Sequence, residues 1–190
     1  MVLGQEGHQS GEGRSRTNID LPGLQNDLIK EIKKVNKNIV LVVMSGRPLD
    51  LTWEDVNIPA IVQAWQLGSK SGDAIAQVLY GDYNPSGKLT MSFPRNVGQV
   101  PVYYNFKNTG RPSTSIEQVT NSGYADVENS PLYSFGYGLS YTEFKYSDFE
   151  ISSSTMTKDS KINASIRVTN TGNYKGEEVV QLYLRDIVGS

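Results

Sequence analysis

The segment NIVLVVM, Asn38–Met44, decides the fold class of this chain. It is a continuous apolar run rich in β-branched residues, which is typical of a parallel strand buried on both faces. Ahead of it, apolar residues recur every three or four positions from Leu24 to Val35, which predicts an amphipathic helix. Beyond it, we expect a second strand at Ile58–Trp65 and a second helix at Gly72–Leu79.

Short strands are expected at Met1–Leu3 and Leu89–Phe93. The alternation of strands and helices predicts an α/β fold with a mostly parallel sheet. The segment SGRPLDL, directly after Met44, is interpreted as a loop at the end of a strand.

From Tyr141 onward the pattern is that of an all-β domain. Alternating apolar and polar residues predict three strands, in FKYSDFEIS, KINASIRVTNTG and EEVVQLYLRD. Such strands open an antiparallel β-sandwich, and the chain stops before the sandwich could close. We therefore expect a fragment, cut inside an α/β domain at its start and inside a β-domain at its end.

The composition excludes several classes of function. The chain has 18 basic and 20 acidic residues, so its net charge does not favour binding to nucleic acid or to an anionic membrane. No apolar run approaches the roughly 20 residues that span a bilayer. The absence of cysteine excludes thiolate metal sites, and the single histidine excludes a histidine metal site. We expect neither a metal nor another cofactor.

The loop HQSGEGRSRTNIDLP, which begins at His8, holds the candidate for chemistry. Glu12 stands between two glycines, and a glycine-flanked carboxylate can approach a ligand closely. The pattern alone leaves Glu12 open as a catalytic acid or a solvated loop carboxylate, and it favours the second. Glu6 is a rival carboxylate, and His8 either contacts solvent or lines a cleft near Glu12.

Two other segments invite functional interpretations. GDYNPSGKL has the glycines and lysine of a phosphate loop, but Leu89 stands where that motif needs Ser or Thr. A structural turn is the better interpretation. An aromatic and polar cluster could line a sugar subsite or pack on its own domain; it contains Tyr103, Tyr104, Asn105, Phe106, Asn108 and Arg111.

Five motifs, in order, resemble those of glycoside hydrolase family 3, and most closely its bacterial β-glucosidase type. They are SGEGRSRTNIDLPGLQNDLI, VVMSGRPLDL, IVQAWQLGSKSGDAIAQVLYGDYNPSGKLTMSFPR, VGQVPVYYNFKNTGRP and PLYSFGYGLSYTEF. The resemblance runs over almost the whole chain. It implies the second half of an α/β sandwich domain at 1–110, a connecting hinge at 111–140 and a partial fibronectin type III-like domain at 141–190.

The resemblance also implies a retaining, exo-acting β-glycosidase that hydrolyses terminal β-linked sugars of an oligosaccharide or β-glucoside. The nucleophile would lie on an N-terminal (β/α)8 barrel outside this chain, and Glu12 matches the general acid/base. Candidate substrate-binding residues are His8, Tyr103, Tyr104, Asn108 and Arg111. The family implies a periplasmic or secreted protein, and the chain alone would be inactive. The alternative is a non-catalytic carbohydrate-binding or interdomain interaction module.

The chemistry restricts what can surround Glu12. A retaining glycosidase needs two carboxyl groups about 5 to 5.5 Å apart, and one of them must be protonated when the substrate binds. A guanidinium beside a proton donor favours its charged form. We therefore expect Arg14 and Arg16 to point away from Glu12, as anchors at a domain interface.

Overall fold

The computed structural model describes residues 1–107, 110–111 and 122–185, which form two compact units. The first unit contains Met1–Ile75 and Leu89–Tyr137. The second contains Ala76–Lys88 and the described residues from Gly138 onward. The predicted domain bounds, 1–110, 111–140 and 141–190, stay predictions.

The first unit is built on a three-stranded parallel sheet. Strands β1 (Val2–Gly4), β2 (Val40–Met44) and β3 (Ala60–Gln63) lie in that order, with β2 in the middle. Helix α1 (Gln25–Val35) connects β1 to β2, and helix α2 (Thr52–Asn57) connects β2 to β3. This arrangement confirms the predicted α/β class with a parallel sheet.

The remaining helices are short. Helix α3, Ser71–Tyr80, follows a 3-10 turn at Gly68–Lys70, and further 3-10 turns lie at Gly7–Gln9 and Val97–Gln99. Helix α2 begins directly after the segment SGRPLDL, at residues to which the sequence analysis assigned no element. Its six residues are too few to display a helical period in the sequence.

The core of the first unit forms around β2. Leu41 and Val43 are fully buried in a cluster with Ile29 of α1, and Val42 on the opposite face is 1% exposed. Both faces of the strand are therefore buried, as its continuous apolar run predicted. The remaining buried members of the cluster are Leu21, Ile39, Leu49, Leu51, Ile58 and Phe93.

The predicted strand at Leu89–Phe93 was wrong. Only Phe93 forms a β-bridge, an antiparallel one to Tyr133, while Leu89 exchanges backbone hydrogen bonds with Gly136 and Tyr137. Between these points the Phe135 N–H bonds to the Ser92 hydroxyl, at 3.3 Å, in place of a backbone carbonyl. A side chain thus interrupts the ladder that a continuous strand would need.

The second unit contains an antiparallel pair, β4 (Phe144–Ile151) and β5 (Ala164–Asn170). The register shifts between Ser147 and Glu150, and Asp148 there has φ of 53°. The third predicted strand, Glu177–Asp186, was wrong over residues 177–185, which are the part of it that the structure describes. The alternation is present, but no neighbouring backbone in the described chain pairs with it, and a strand needs such a neighbour.

The GDYNPSGKL segment has a structural role in the second unit. The Asn84 side-chain oxygen accepts hydrogen bonds from the Ser140 hydroxyl and the Tyr141 N–H, and its amide nitrogen donates to the Lys175 carbonyl. Lys88 is largely buried and forms an ion pair with Glu178 at 3.3 Å. The lysine of the apparent phosphate loop is therefore engaged within the protein.

Glu54 of α2 is a buried carboxyl at the edge of an open cavity of about 460 Å³. Its Oε1 atom has no hydrogen-bond partner in the described residues, nor has Oδ1 of Asn26, which lines the same cavity. Burial raises the pKa of Glu54, and the nearby carboxylates of Asp50 and Asp20 raise it further. A hydrogen bond from its own backbone N–H and the charge of Lys30 oppose this rise without cancelling it.

We expect Gly4→Ala to destabilise the first unit strongly. Gly4 has φ of +145°, and a Cβ there would lie 1.8 Å from the Met44 carbonyl oxygen across the β1–β2 pairing. The change should lower the free energy of unfolding by about 3 kcal/mol or more, measured by urea unfolding. Gly7→Ala is the matched control, because its Cβ would meet no atom within 4 Å; its effect should stay within about 0.5 kcal/mol. Equal stability of the two variants would contradict the close approach at Gly4.

We expect Glu54→Gln to stabilise the protein near neutral pH and to have little effect near pH 4. The raised pKa means that the folded state holds the Glu54 proton more tightly than the unfolded state does. Its carboxyl therefore costs stability as the pH rises above the pKa of an unfolded glutamate. Removing the charge should raise the melting temperature by about 2–4 °C, which corresponds to about 1 kcal/mol.

Glu31→Gln is the control for that experiment. Glu31 is exposed and forms an ion pair with Lys34 one helical turn away, so its loss should change the melting temperature little at either pH. A Glu54→Gln variant that melts lower at neutral pH would contradict the cost of burying this carboxyl.

Candidate active site

The candidate site lies at the carboxyl edge of the parallel sheet, where β1, β2 and β3 end. In open α/β sheets, ligands bind outside the carboxyl ends of the strands. The chain leaves β1 at Gly4 and runs through the segment of residues 5–18 before α1. We call residues 5–18 the Glu12 loop.

Two tight turns shape the Glu12 loop. The 3-10 turn at Gly7–Gln9 is closed by Gln9 N–H donating to the Glu6 carbonyl at 2.9 Å. The second turn is closed by Arg14 N–H donating to the Gly11 carbonyl at 3.1 Å. Gly11 and Gly13 both have positive φ, at 131° and 66°, which explains why glycine flanks Glu12 on both sides.

Glu12 lies at the tip of this second turn. Its side chain is exposed, and it forms no hydrogen bond or ion pair with any residue that the structure describes. Arg14 and Arg16 form no ion pair with it, and the Arg16 Nε atom instead donates to the Asn18 carbonyl at 3.2 Å. Glu12 is therefore a free carboxyl presented on a folded turn.

Glu6 and His8 occupy a different position in the loop. Glu6 Oε2 lies 3.1 Å from His8 Nδ1, and both side chains are largely exposed. The Glu6 N–H also donates to the Gln9 side chain at 3.1 Å, which ties Glu6 to the 3-10 turn. Of the two rival carboxylates, Glu6 thus has a partner within the loop and Glu12 has none among the described residues.

Arg47, in the loop after β2, holds both sides of the Glu12 turn. Its Nη2 atom donates to the Gln9 carbonyl at 2.9 Å and to the Arg14 carbonyl at 2.6 Å. Its neighbour Gly46 lies against Ser10, so closely that a Cβ would come 2.1 Å from the Ser10 hydroxyl oxygen. The end of β2 therefore supports the loop that leaves β1.

Two successive hydrogen bonds connect Arg47 to the end of β3. Gln63, at the end of β3, donates from Nε2 to the Ser45 hydroxyl at 3.2 Å, and that hydroxyl donates to the Arg47 carbonyl at 2.8 Å. Ser45 is completely buried. The carboxyl ends of all three strands therefore contribute to the site.

The same edge carries buried polar atoms without partners in the described chain. They are both side-chain polar atoms of Gln5, Nε of Arg47 and Oε1 of Gln63. Buried polar groups in folded proteins are rarely left unbonded, and such groups often mark a functional site. The carboxyl edge thus has hydrogen-bonding capacity beyond what the fold uses.

The predicted aromatic cluster lies on an exposed segment of the same unit. Tyr103 and Tyr104 are 60% and 61% exposed, and the Tyr104 ring stacks on Phe135 with a centroid distance of 4.5 Å. Arg111 is exposed, and its carbonyl accepts from the Ser122 N–H. Asn108 lies outside the described residues.

Arg47 is the site residue that our sequence analysis missed. We interpreted SGRPLDL only as a strand-end loop, although a Ser-Gly-Arg sequence directly after a buried parallel strand falls at the edge where such sheets bind ligands. That placement was the available signal. The partners of Arg47 lie 38 and 33 residues away, and no local pattern indicated them.

Among the described residues, no group of three or more His, Asp or Glu side chains is arranged to hold a metal ion. None of the helices in the described ranges has the length and apolar character needed to cross a bilayer.

Comparison with known proteins identifies the family. The family model for the glycosyl hydrolase family 3 C-terminal domain matches residues 1–141. A periplasmic beta-glucosidase of Salmonella typhimurium is 52% identical over 190 residues, which cover 100% of this chain and 25% of that protein. A beta-xylosidase of Formosa agariphila is 42% identical over 98% of this chain and 25% of its own length.

A solved structure agrees with these relatives. The crystal structure of a beta-glucosidase from Listeria innocua, in complex with glucose, superposes with a TM-score of 0.92 at 36% identity. The match covers 100% of this chain and 26% of that one. The chain thus spans about a quarter of the length of the relatives it matches. On the evidence of the family match and of relatives that align over its whole length, the chain belongs to glycoside hydrolase family 3, to the C-terminal domain family of these enzymes.

Proposed function

We propose that this chain is the C-terminal part of a retaining, exo-acting β-glycosidase of the β-glucosidase type, in which Glu12 is the general acid/base. The observation that carries the proposal is an exposed carboxyl without a partner in the described chain, on a turn whose base is anchored at the carboxyl edge of the sheet. A proton donor must come within about 3 Å of the glycosidic oxygen, so the group must be both free and well placed.

The proposal needs a second carboxylate from outside this chain. A retaining glycosidase uses a nucleophile about 5 to 5.5 Å from the acid/base. An N-terminal (β/α)8 barrel domain would supply this aspartate and most contacts to the sugar. Closing the barrel over Glu12 would exclude water from the reaction and place the carboxyl beside the glycosidic oxygen.

Several residues of this chain are proposed to contact the sugar or its leaving group. Exposed Tyr103 and Tyr104 offer flat faces that pack against pyranose rings, and Arg111 offers donors to hydroxyl groups. Asn108 belongs to the same proposed set. His8 is four residues from Glu12, and its exposed ring is proposed to line the cleft.

We also propose the identity of the second unit, the location of the enzyme and its class of substrate. The second unit, with its antiparallel β4 and β5, would be the beginning of a fibronectin type III-like domain. The name of the Salmonella relative supports a periplasmic or secreted location. The named relatives act as a β-glucosidase and a β-xylosidase, which supports a substrate with a terminal β-linked sugar, such as an oligosaccharide or β-glucoside.

In the full-length enzyme, we expect Glu12→Ala to lower kcat/KM for a methoxyphenyl β-glucoside by about 10²–10⁴-fold. A dinitrophenyl β-glucoside should lose far less, because its leaving group departs without a proton. Azide should restore turnover of the dinitrophenyl substrate, since this anion attacks the glycosyl-enzyme without a general base. Steady-state kinetics with and without azide measure all three effects.

Glu6→Ala is the matched control, because it removes the rival carboxylate of the same loop. It should show no dependence on the leaving group and no rescue by azide. If this pattern belongs to Glu6→Ala instead of Glu12→Ala, then Glu6 is the acid/base. If neither variant shows it, the chain serves as a carbohydrate-binding or interdomain module.

The stereochemistry of the reaction gives a separate prediction. A double displacement releases the sugar with its β configuration retained, because each of the two steps inverts the anomeric carbon. Proton NMR of the full-length enzyme's reaction should therefore show the β-anomer first, with the α-anomer appearing later by mutarotation. Initial release of the α-anomer would contradict a retaining mechanism.

A further inference from the structure

We propose that Arg47 is a positioning residue for Glu12: it sets the reach of the proton donor without contacting the substrate. The inference rests on the proposed role of Glu12. It adds a residue from a different strand, 35 positions along the chain, to the machinery that delivers the proton.

The geometry around the turn is that of a clamp. One nitrogen of Arg47, Nη2, donates to the carbonyls of Gln9 and Arg14, which lie on the two sides of Glu12. The Arg14-to-Gly11 hydrogen bond closes the turn within the loop, and the Arg47 contacts connect both of its sides to the end of β2. Between Gln9 and Arg14, only the short tip around Glu12 projects beyond these contacts. The ends of the tip are therefore held at a set separation and a set distance from β2.

Glu12 depends on this clamp because nothing else in the described chain holds it. Its side chain has no partner there, and the flanking Gly11 and Gly13 provide no side-chain packing. For both glycines, a Cβ would meet no described atom within 4 Å, so no described residue packs against the turn at these two positions. The position of the carboxyl thus follows from the backbone of the turn, and the Arg47 side chain ties both sides of that turn to the end of β2.

Arg47 is itself held from two directions. Its carbonyl accepts from the buried Ser45 hydroxyl, which in turn is fixed by Gln63 of β3. The close approach of Gly46 to Ser10 keeps the loop against the end of β2. Because the backbone of Arg47 is fixed to the sheet, its long side chain can hold the loop at a constant position relative to the sheet.

The other arginines of the region have different contacts. Arg16 donates through Nε to Asn18, two residues further along, and this bond restrains only its own segment. Arg14 takes part through its backbone carbonyl, so its side chain is not needed for the clamp. The positioning role therefore belongs to the Arg47 guanidinium.

The test uses Arg47→Met in the full-length enzyme, because Met keeps much of the apolar stem and removes the guanidinium that forms both hydrogen bonds. A misplacement of about 1 Å costs on the order of 10²-fold in rate. We expect kcat/KM for a methoxyphenyl β-glucoside to fall by about 10- to 100-fold, and that for a dinitrophenyl β-glucoside to fall by less than about threefold. Azide should accelerate turnover of the dinitrophenyl substrate by the variant.

Two companion variants make the result decisive. Arg167→Met is the matched control: Arg167 is an exposed arginine on β5 that forms an ion pair with Asp148, and its loss should leave both kinetic constants unchanged. Arg47→Lys keeps a charged donor, and it should show the same dependence on the leaving group at a smaller amplitude. It also provides the measurement if Arg47→Met does not fold.

The outcomes separate this inference from the proposal on which it rests. If Glu12→Ala shows the leaving-group effect but the Arg47 variants lose activity equally on both substrates, Arg47 has only a structural role and the inference is overturned. If Glu12→Ala shows no such effect, the acid/base assignment fails and the positioning role fails with it.

Discussion

The buried central strand β2 is the constraint on which the first unit depends. Val42 pairs with Val2 of β1 on one side and with Val62 of β3 on the other, so the strand has neighbours along both edges. Its side chains are buried on both faces, and backbone groups buried in this way must be hydrogen-bonded. The direction and register of β1 and β3 follow from that requirement.

The site follows from the same constraint. Three parallel strands in register end at one edge, so the segments that leave β1 and β2 must pass each other closely there. Glycine makes the passage possible at two points: Gly4 beside the Met44 carbonyl, and Gly46 beside Ser10. On either side of Gly46 the chain provides the polar groups of Ser45 and Arg47, which the apolar strand could not carry in its interior.

At this edge, the residues that stabilise the fold are different from the residue proposed for catalysis. Nη2 of Arg47, the Ser45 hydroxyl and Nε2 of Gln63 form hydrogen bonds within the protein, and losing these bonds would cost stability. Glu12 has no side-chain hydrogen bond or ion pair in the described chain through which it could stabilise the fold. A carboxyl that is presented by an ordered scaffold, and that the scaffold itself does not use, is available for chemistry with a group from elsewhere.

Sequence reasoning succeeded where a signal was local and long, and failed where structure depended on distant partners. The run in β2 and the period of α1 were long enough to predict both elements, whereas the six residues of α2 were not. The predicted strands at Leu89–Phe93 and Glu177–Asp186 have suitable alternation. One is interrupted by the Ser92 hydroxyl, and the other has no neighbouring backbone among the described residues.

The sequence by itself determined the parallel α/β class, the family resemblance, and a glycine-flanked carboxylate, Glu12, as the candidate for chemistry. These properties are carried by adjacent residues, through the apolar pattern and the backbone freedom of glycine. Only the tertiary structure decided that Arg47 anchors the turn of Glu12 and that Glu6 is paired with His8. Side-chain contacts depend on where strand ends and turns meet in space, and that meeting is set by the packing of the whole sheet.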